Sequence, residues 1–446
     1  MSRDVPLRAQ RSLTAGKPTA QFNLVGLHWR GAGTVQFRTR SLAGRWSSWV
    51  DAAPEAEDRP DAGTDERARL SSWRLGNPWW VGASDRIEYR LRGKVTRLRA
   101  YFVWSPPAGV PARTLQKAGA PAIVPRSGWN ADERIRRSTP SFAPAIRLAL
   151  VHHTAGANGY TAAQSPSIVR AIELYHVKGN GWNDIGYNFL VDRFGNVYEG
   201  RGGGIEKNVI GAHSEGFNTG TFGVALIGNY AHATPPKAQQ TALVDLLAWR
   251  LDVAHVDPLS TVVYTSGGNA KFRSGKNVIL RAISGHRDTG PSECPGTGTY
   301  VLLPGIAKRV SLTGLPKLYS PSVTGAAGGP IRIQARLSSS LPWTVTVVDQ
   351  LGRTVASGSG TGTAINWTWN SLVAGKGSFT WTIDSPGARP ATGTIGIGRP
   401  VPAPTLSLTN LATTPSVITP NADGSADSMT VSFTLGTASL VTAQVL

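Results

Sequence analysis

Two textures of apolar patterning alternate along the chain. Between residues 22 and 104, apolar and polar residues alternate in short stretches: Phe22-Asn-Leu-Val-Gly-Leu-His-Trp29, Thr34-Val-Gln-Phe-Arg-Thr-Arg40, Asp85-Arg-Ile-Glu-Tyr-Arg-Leu91 and Leu98-Arg-Ala-Tyr-Phe-Val-Trp104. A period of two is the mark of half-buried strands, and it predicts a β-sandwich over residues 20–105 behind an N-terminal tail, 1–19. Residues 51–69 interrupt the pattern with acidic and polar residues and read as a loop. Seven tryptophans fall in this region (Trp29, Trp46, Trp49, Trp73, Trp79, Trp80 and Trp104), suited either to the sandwich core or to stacking on sugar rings.

A Pro- and Ala-rich linker, residues 106–124, leads into a different texture over 125–312. Strand-like Leu148-Ala-Leu-Val-His-His153 precedes Ser165-Pro166, a helix-opening pair, with Ile168, Ile172 and Tyr175 on one helical face. Further strands are expected over 187–192, 197–201 and 222–228, the first two joined by Arg193-Phe-Gly-Asn196. A second helix is expected from Thr234-Pro235, with Leu243, Leu246, Leu247 and Leu251 at helical spacing. Alternating strands and helices predict an α/β domain. After a second linker, 313–329, short strands return over 330–399. A last piece, 400–446, reads as an incomplete β module. There Asn421, Asp423 and Asp427 suit a turn better than a calcium loop, because the spacing of an EF-hand is missing.

Composition narrows the class. The 446 residues carry a formal charge of +19, 46 Lys and Arg against 27 Asp and Glu, which favours a polyanionic partner. Nucleic acid is not expected, since the sequence has no zinc-finger spacing, no aromatic RNA-binding signature and no basic helix. Anionic polymers of a bacterial wall fit the charge equally well. No run of about 20 apolar residues is present, so no membrane-spanning helix is expected. The start has no apolar signal region and the end stops inside a strand-like segment, as expected of a secreted or wall-located protein trimmed from a longer precursor. A single cysteine, Cys294, excludes an intramolecular disulfide.

That cysteine follows Gly285-His286-Arg287-Asp288 within Glu293-Cys294-Pro295-Gly296, while Val151-His152-His153-Thr154 ends a strand. Imidazole and thiolate together suit zinc, and three protein ligands leave a fourth position for water, the mark of a catalytic site. The region resembles the peptidoglycan recognition protein and type-2 N-acetylmuramoyl-L-alanine amidase family. The matching blocks are Ser127-Gly-Trp129, Leu150-Val-His-His-Thr154, Trp182-Asn-Asp-Ile-Gly-Tyr-Asn-Phe-Leu-Val191, Gly195-Asn-Val-Tyr-Glu-Gly-Arg201, Gly211-Ala-His-Ser-Glu-Gly-Phe-Asn218, Phe222-Gly-Val-Ala-Leu-Ile-Gly228 and Gly285 to Asp288 through Gly296.

The resemblance implies a mixed β-sheet flanked by helices and a muropeptide groove. It implies Zn(2+) on His152, His286 and Cys294, with His153 a neighbour and Tyr187 a catalytic oxyanion donor. It places Ser292 where relatives keep a catalytic Lys or a Thr, and His176, Trp182, Arg201, His213 and Asn218 along the groove, with His176 and His213 equally suited to orienting the ligands. The implied activity is hydrolysis of the lactyl-L-alanine amide of peptidoglycan, the alternative being a receptor that binds without cutting. Ala225 stands where some relatives have a glutamate, which leaves the general base unassigned. Residues 202–208 depart from the pattern expected to select the third stem residue. Residues 343–398 resemble the immunoglobulin-like modules of flagellar hook-capping proteins and secreted bacterial enzymes, through Val348-Asp-Gln-Leu-Gly-Arg-Thr-Val355. The fold expected is therefore multidomain: a central α/β amidase domain, an N-terminal β-sandwich and C-terminal immunoglobulin-like modules.

Overall fold

The computed structural model describes residues 1–7, 12–14, 20–52, 58–69, 73–107, 119–374, 377–396, 408–419 and 428–435. The chain forms two compact units, the first spanning residues 1–320 with 387–389 and the second the remainder.

The first unit opens with an antiparallel sheet of eight strands: β1 (Ser2–Val5), β2 (Ser12–Thr14), β3 (Phe22–Arg30), β4 (Thr34–Ser41), β5 (Val50–Asp51), β6 (Arg74–Leu75), β7 (Trp79–Arg92) and β8 (Arg97–Val103). The segment expected to be a tail supplies β1, which runs along β8 from Ser2 opposite Tyr101 to Val5 opposite Leu98. Strand β7 is long enough to serve two partners. Its start pairs with β3, and its later part, to Arg92, pairs with β4. The inward residues Phe22, Val25, Leu27, Trp29, Val35, Phe37, Ile87, Tyr89, Leu98 and Phe102 then enclose one core. Of the seven tryptophans, Trp29, Trp73 and Trp80 are buried, whereas Trp46 and Trp104 are exposed.

Strand β3 is buried on both faces, which decides how this module meets the next. Val25 and Leu27 face their own core, while Leu24 joins Trp80 in a cluster with Ile168, Ile172 and Tyr175. The side chain of His28 lies 3.0 Å from both the Tyr175 hydroxyl and Asn180 Oδ1, and Tyr175 donates to the Gly76 carbonyl at 2.6 Å. A Cβ at residue 26 would sit 2.1 Å from the Tyr175 ring, so only glycine admits this contact.

Residues 123–312 hold a six-stranded mixed sheet in the order β16-β10-β13-β11-β12-β9. These strands are β9 (Ile123–Val124), β10 (Leu148–His153), β11 (Phe189–Val191), β12 (Val197–Glu199), β13 (Thr221–Leu226) and β16 (Ile283–Gly285). A separate hairpin, β14 (Thr261–Thr265) with β15 (Asn277–Arg281), precedes β16. Parallel pairing of β10 with both β13 and β16 buries β10 completely, which explains its nearly unbroken apolar sequence. Helices α3 (Lys237–Val253) and α6 (Leu303–Ser311) cover one face through Leu243, Leu247, Ile306 and Val310. Helix α2 (Ser165–Leu174) packs on the other face against Leu190, Ala225 and Ile227. The chain enters α3 after Pro235 and Pro236, so the helix begins at Lys237, slightly later than Thr234-Pro235 suggests.

The second unit is described by itself. It contains β17 (Leu318–Thr324, continuing from the first unit), β18 (Pro330–Val348), β19 (Thr354–Asn370), β20 (Phe379–Asp384) and β21 (Ala391–Ile395) in one sheet. The β18–β19 hairpin turns at Asp349, whose side chain accepts from the Leu351 and Arg353 amides. Its core is Ile331, Ile333, Leu337, Val345, Val347, Ile365 and Ile383. An antiparallel pair, β22 (Leu408–Thr414) and β23 (Thr430–Leu435), follows. Asn421, Asp423 and Asp427 lie outside the described residues.

Candidate metal centre

Three elements bring the candidate ligands together. His152 is the penultimate residue of the fully buried strand β10, His286 opens a short helix, α4 (His286–Thr289), directly after β16, and Cys294 lies in the following loop. One ligand atom from each of the three lies within 4.8 Å of the others, all three residues being buried. The Cys294 sulfur is 3.7 Å from His152 Nδ1. Strand alternation turns His153 the other way, where its Nδ1 accepts from the Tyr230 amide at 3.0 Å.

Behind His152, its Nε2 lies 3.1 Å from His213 Nδ1. A Cβ at residue 223 would approach the His213 ring to 2.5 Å, so Gly223 on β13 leaves the room that this second imidazole needs. Asn218 Oδ1 accepts from the amides of His213 and Ser214 and holds the turn. Burial depresses the His152 pKa to about 4 and that of His213 well below its ordinary value, so both are neutral at physiological pH, the state a metal ligand requires.

Tyr187 is buried with its ring centroid 5.6 Å from that of His152. His176 supports it from below: the His176 ring packs against Trp182 at 4.4 Å, its Nδ1 accepts from the Gly186 amide at 3.0 Å, and burial lowers its pKa to about 3. His176, Trp182, His213 and Asn218 are all buried in this structure. Ser292 Oγ accepts from the Cys294 amide at 3.0 Å, an arrangement that braces the cysteine loop. Arg201 pairs with Glu66 and donates to the Ile185 carbonyl.

Glu66 belongs to residues 58–69 of the segment read as a loop, which reach from the first module into this site. Asp58 Oδ1 is 3.2 Å from the Nδ1 atoms of both His152 and His286, and Asp58 Oδ2 accepts a hydrogen bond from the Tyr187 hydroxyl. Burial raises the Asp58 pKa, but the two imidazoles outweigh it and hold the carboxyl well below the usual range. Asp58 carries no motif and was not among the residues singled out in the sequence; its membership of an acidic interruption is the only signal it offers.

The donor set fits zinc. Two imidazole nitrogens and a thiol converge, and Asp58 Oδ1 and His286 Nδ1 are buried without a hydrogen bond although they face each other. A cation between them accounts for both orphaned atoms. A groove of about 430 Å³, whose lining includes none of the metal-facing side chains, is bounded by Asp61, Glu66, Arg69, Arg136, Asn183 and Arg201 among others.

Comparison with known proteins identifies two family profiles and several relatives. The profile of the N-acetylmuramoyl-L-alanine amidase family matches residues 142–297, and that described as Rv3811 N-terminal galactose-binding domain-like matches residues 3–122. Peptidoglycan-recognition protein SC2 of Drosophila simulans is 37% identical over 178 residues, 40% of this chain and 82% of the relative. Peptidoglycan recognition protein 1 of Bos taurus is 31% identical over 188 residues, 41% of this chain and 82% of the relative. Among solved structures, Drosophila PGRP-LB aligns at 28% identity over 40% of this chain and 90% of its own, with a TM-score of 0.32. The chain belongs to the peptidoglycan recognition protein and type-2 amidase family. It joins that family's domain to an N-terminal galactose-binding-like β domain.

Proposed function

We propose that this protein is a zinc-dependent N-acetylmuramoyl-L-alanine amidase that hydrolyses the lactyl-L-alanine amide of peptidoglycan outside the cell. The observation that supports it best is the convergence of the His152, His286 and Cys294 ligand atoms within 4.8 Å beside the Tyr187 ring. A receptor has no need of the thiolate. Zinc held there supplies a Lewis acid and lowers the pKa of a bound water to about 7. The protein's own contributions are positional. Tyr187 donates to the oxygen that becomes negative in the tetrahedral transition state. His213 fixes the His152 ring through its Nε2, and Asn218 holds His213 in turn. Ser292 keeps the Cys294 loop folded, and Trp182 and His176 buttress Tyr187. Arg201 offers the substrate a cation at the groove. The C-terminal strands serve as immunoglobulin-like spacers, and the charge of +19 draws the protein to anionic wall polymers.

The test is incubation of the zinc-loaded chain, and of an Asp58→Ala variant that removes the carboxylate facing the two histidines, with purified peptidoglycan. Stem peptides with a free L-alanine amino terminus are the expected product. Stoichiometric zinc with tight wall binding and no such product from either form would instead establish the receptor.

A further inference from the structure

We propose that Asp58 is a fourth protein ligand of the zinc, delivered by the N-terminal module, and that residues 58–69 form a strap that holds the amidase centre latent. The proposal rests on the zinc reading above and adds a residue outside the amidase domain to it.

Three spacings around Asp58, His152, His286 and Cys294 match edges of a tetrahedral coordination shell. Metal–nitrogen and metal–oxygen bonds of about 2.0–2.2 Å at tetrahedral angles separate neighbouring ligand atoms by roughly 3.3 Å, and a metal–sulfur bond of about 2.3 Å stretches the edge to roughly 3.6 Å. Asp58 Oδ1 stands 3.2 Å from each histidine Nδ1, and the Cys294 sulfur stands 3.7 Å from that of His152. Asp58 Oδ1 and His286 Nδ1 stand at ion-pair distance from each other, yet neither makes a well-aligned hydrogen bond to any group. With one thiolate and one carboxylate, a divalent cation is neutralised in a buried site, which removes the cost of an uncompensated charge.

The strap is seated by a run of polar contacts on the amidase domain. Asp61 Oδ1 accepts from the Gly216 amide and from Asn218 Nδ2, each at 2.7 Å, and Asn218 also donates to the Arg59 carbonyl at 3.0 Å. Glu66 pairs with Arg201 and accepts from the Asn183 amide at 2.8 Å, while Arg67 pairs with Glu215 at 2.8 Å. Helix α1 (Asp65–Ala68), capped by Thr64, carries the last two of these residues. One carboxylate thus takes both the position where water would bind and the hydroxyl of Tyr187. Glu66 takes the Arg201 cation as well. A muropeptide reaches none of the three until the strap leaves.

The experiment uses the full chain loaded with cobalt(II), whose visible spectrum reports coordination, and the variants Asp58→Ala, Asp58→Asn and Asp61→Ala. Azide serves as a small probe anion for an open position. The wild-type spectrum is expected to resist azide concentrations that shift the spectrum of Asp58→Ala. With zinc, Asp58→Ala and Asp61→Ala are expected to release stem peptide about tenfold faster or more, as unlocking a mostly closed population requires. Asp61→Ala leaves every metal-facing group in place, so a gain there reports strap release alone. Equal azide responses in wild type and Asp58→Ala overturn the ligand assignment. A loss of activity in both Asp58→Asn and Asp58→Ala also overturns it and makes Asp58 the missing proton acceptor. An azide difference without wall cleavage by any variant sustains the Asp58 assignment and defeats the amidase reading instead.

Discussion

The metal centre draws on two regions built on opposite principles. His152, His286 and Cys294 are carried by the ends of buried parallel strands and the turn behind them, so their placement follows from the core of residues 123–312. Asp58 arrives on a segment whose one regular element is the short helix α1, held by polar contacts at the surface of that core. Ligands on a rigid sheet cannot leave without unfolding it, whereas a strap held by hydrogen bonds and ion pairs can detach at modest cost. The difference suits a permanent binding half and a removable fourth ligand.

The largest effect should come from the rigid half. Cys294→Ser replaces a thiolate by a neutral hydroxyl and should lower zinc affinity by about a hundredfold or more, measured by competition with a chelator. Unchanged zinc content and activity in that variant would refute the ligand set. Next, Tyr187→Phe should keep its zinc yet lose about 10²- to 10³-fold in kcat, the usual cost of one oxyanion donor, read most clearly in the Asp58→Ala background. Zinc loss in Tyr187→Phe would make the tyrosine part of the scaffold. His213→Ala should weaken zinc by about 10- to 100-fold by freeing the His152 ring, as shown by titration with the metal. If zinc affinity stays put, His213 faces the substrate and not the ligand.

The smallest and broadest effect is on pH. In the metal-free chain burial lowers His28 and His152 to about 4 and His176 to about 3. The unfolded chain binds protons near the ordinary value of about 6.5, so their contribution is present above it and is lost as pH falls towards 4. Glu173 acts in the opposite sense: burial raises it to about 7, and its share of stability returns as pH falls from 7 to its model-peptide range. These three histidines, with His213 also lowered by burial, outweigh Glu173 and leave a net loss, on the order of 2 kcal/mol for each uncompensated histidine at pH 4.5. Thermal melts between pH 7 and 4.5 check this, and a flat melting temperature would sink it. Loading with zinc should shield His152 and flatten the upper part of the curve.

How much was legible in the sequence varies with the range of the interactions involved. The period-two stretches mark β3, β4, β7 and β8, and Ser165-Pro166 marks the start of α2, because side-chain alternation and end chemistry are local. The tail escaped: β1 is short, polar and exposed, and it exists through its backbone pairing with β8. The dual burial of β3 could be suspected from Leu24 and Gly26 at outward positions, but its partner, Tyr175, could not be named.

The same division runs through the site. Strand alternation by itself says that only one of His152 and His153 faces the groove, and the family resemblance, through the blocks around His152, His286 and Cys294, says which. Only the tertiary structure decided that Asp58 stands 3.2 Å from both histidines. That contact depends on β3 docking against α2 and on Asp61 and Glu66 finding Asn218 and Arg201. Such long-range pairings are settled by the burial of two surfaces on each other, and no spacing along the chain encodes them.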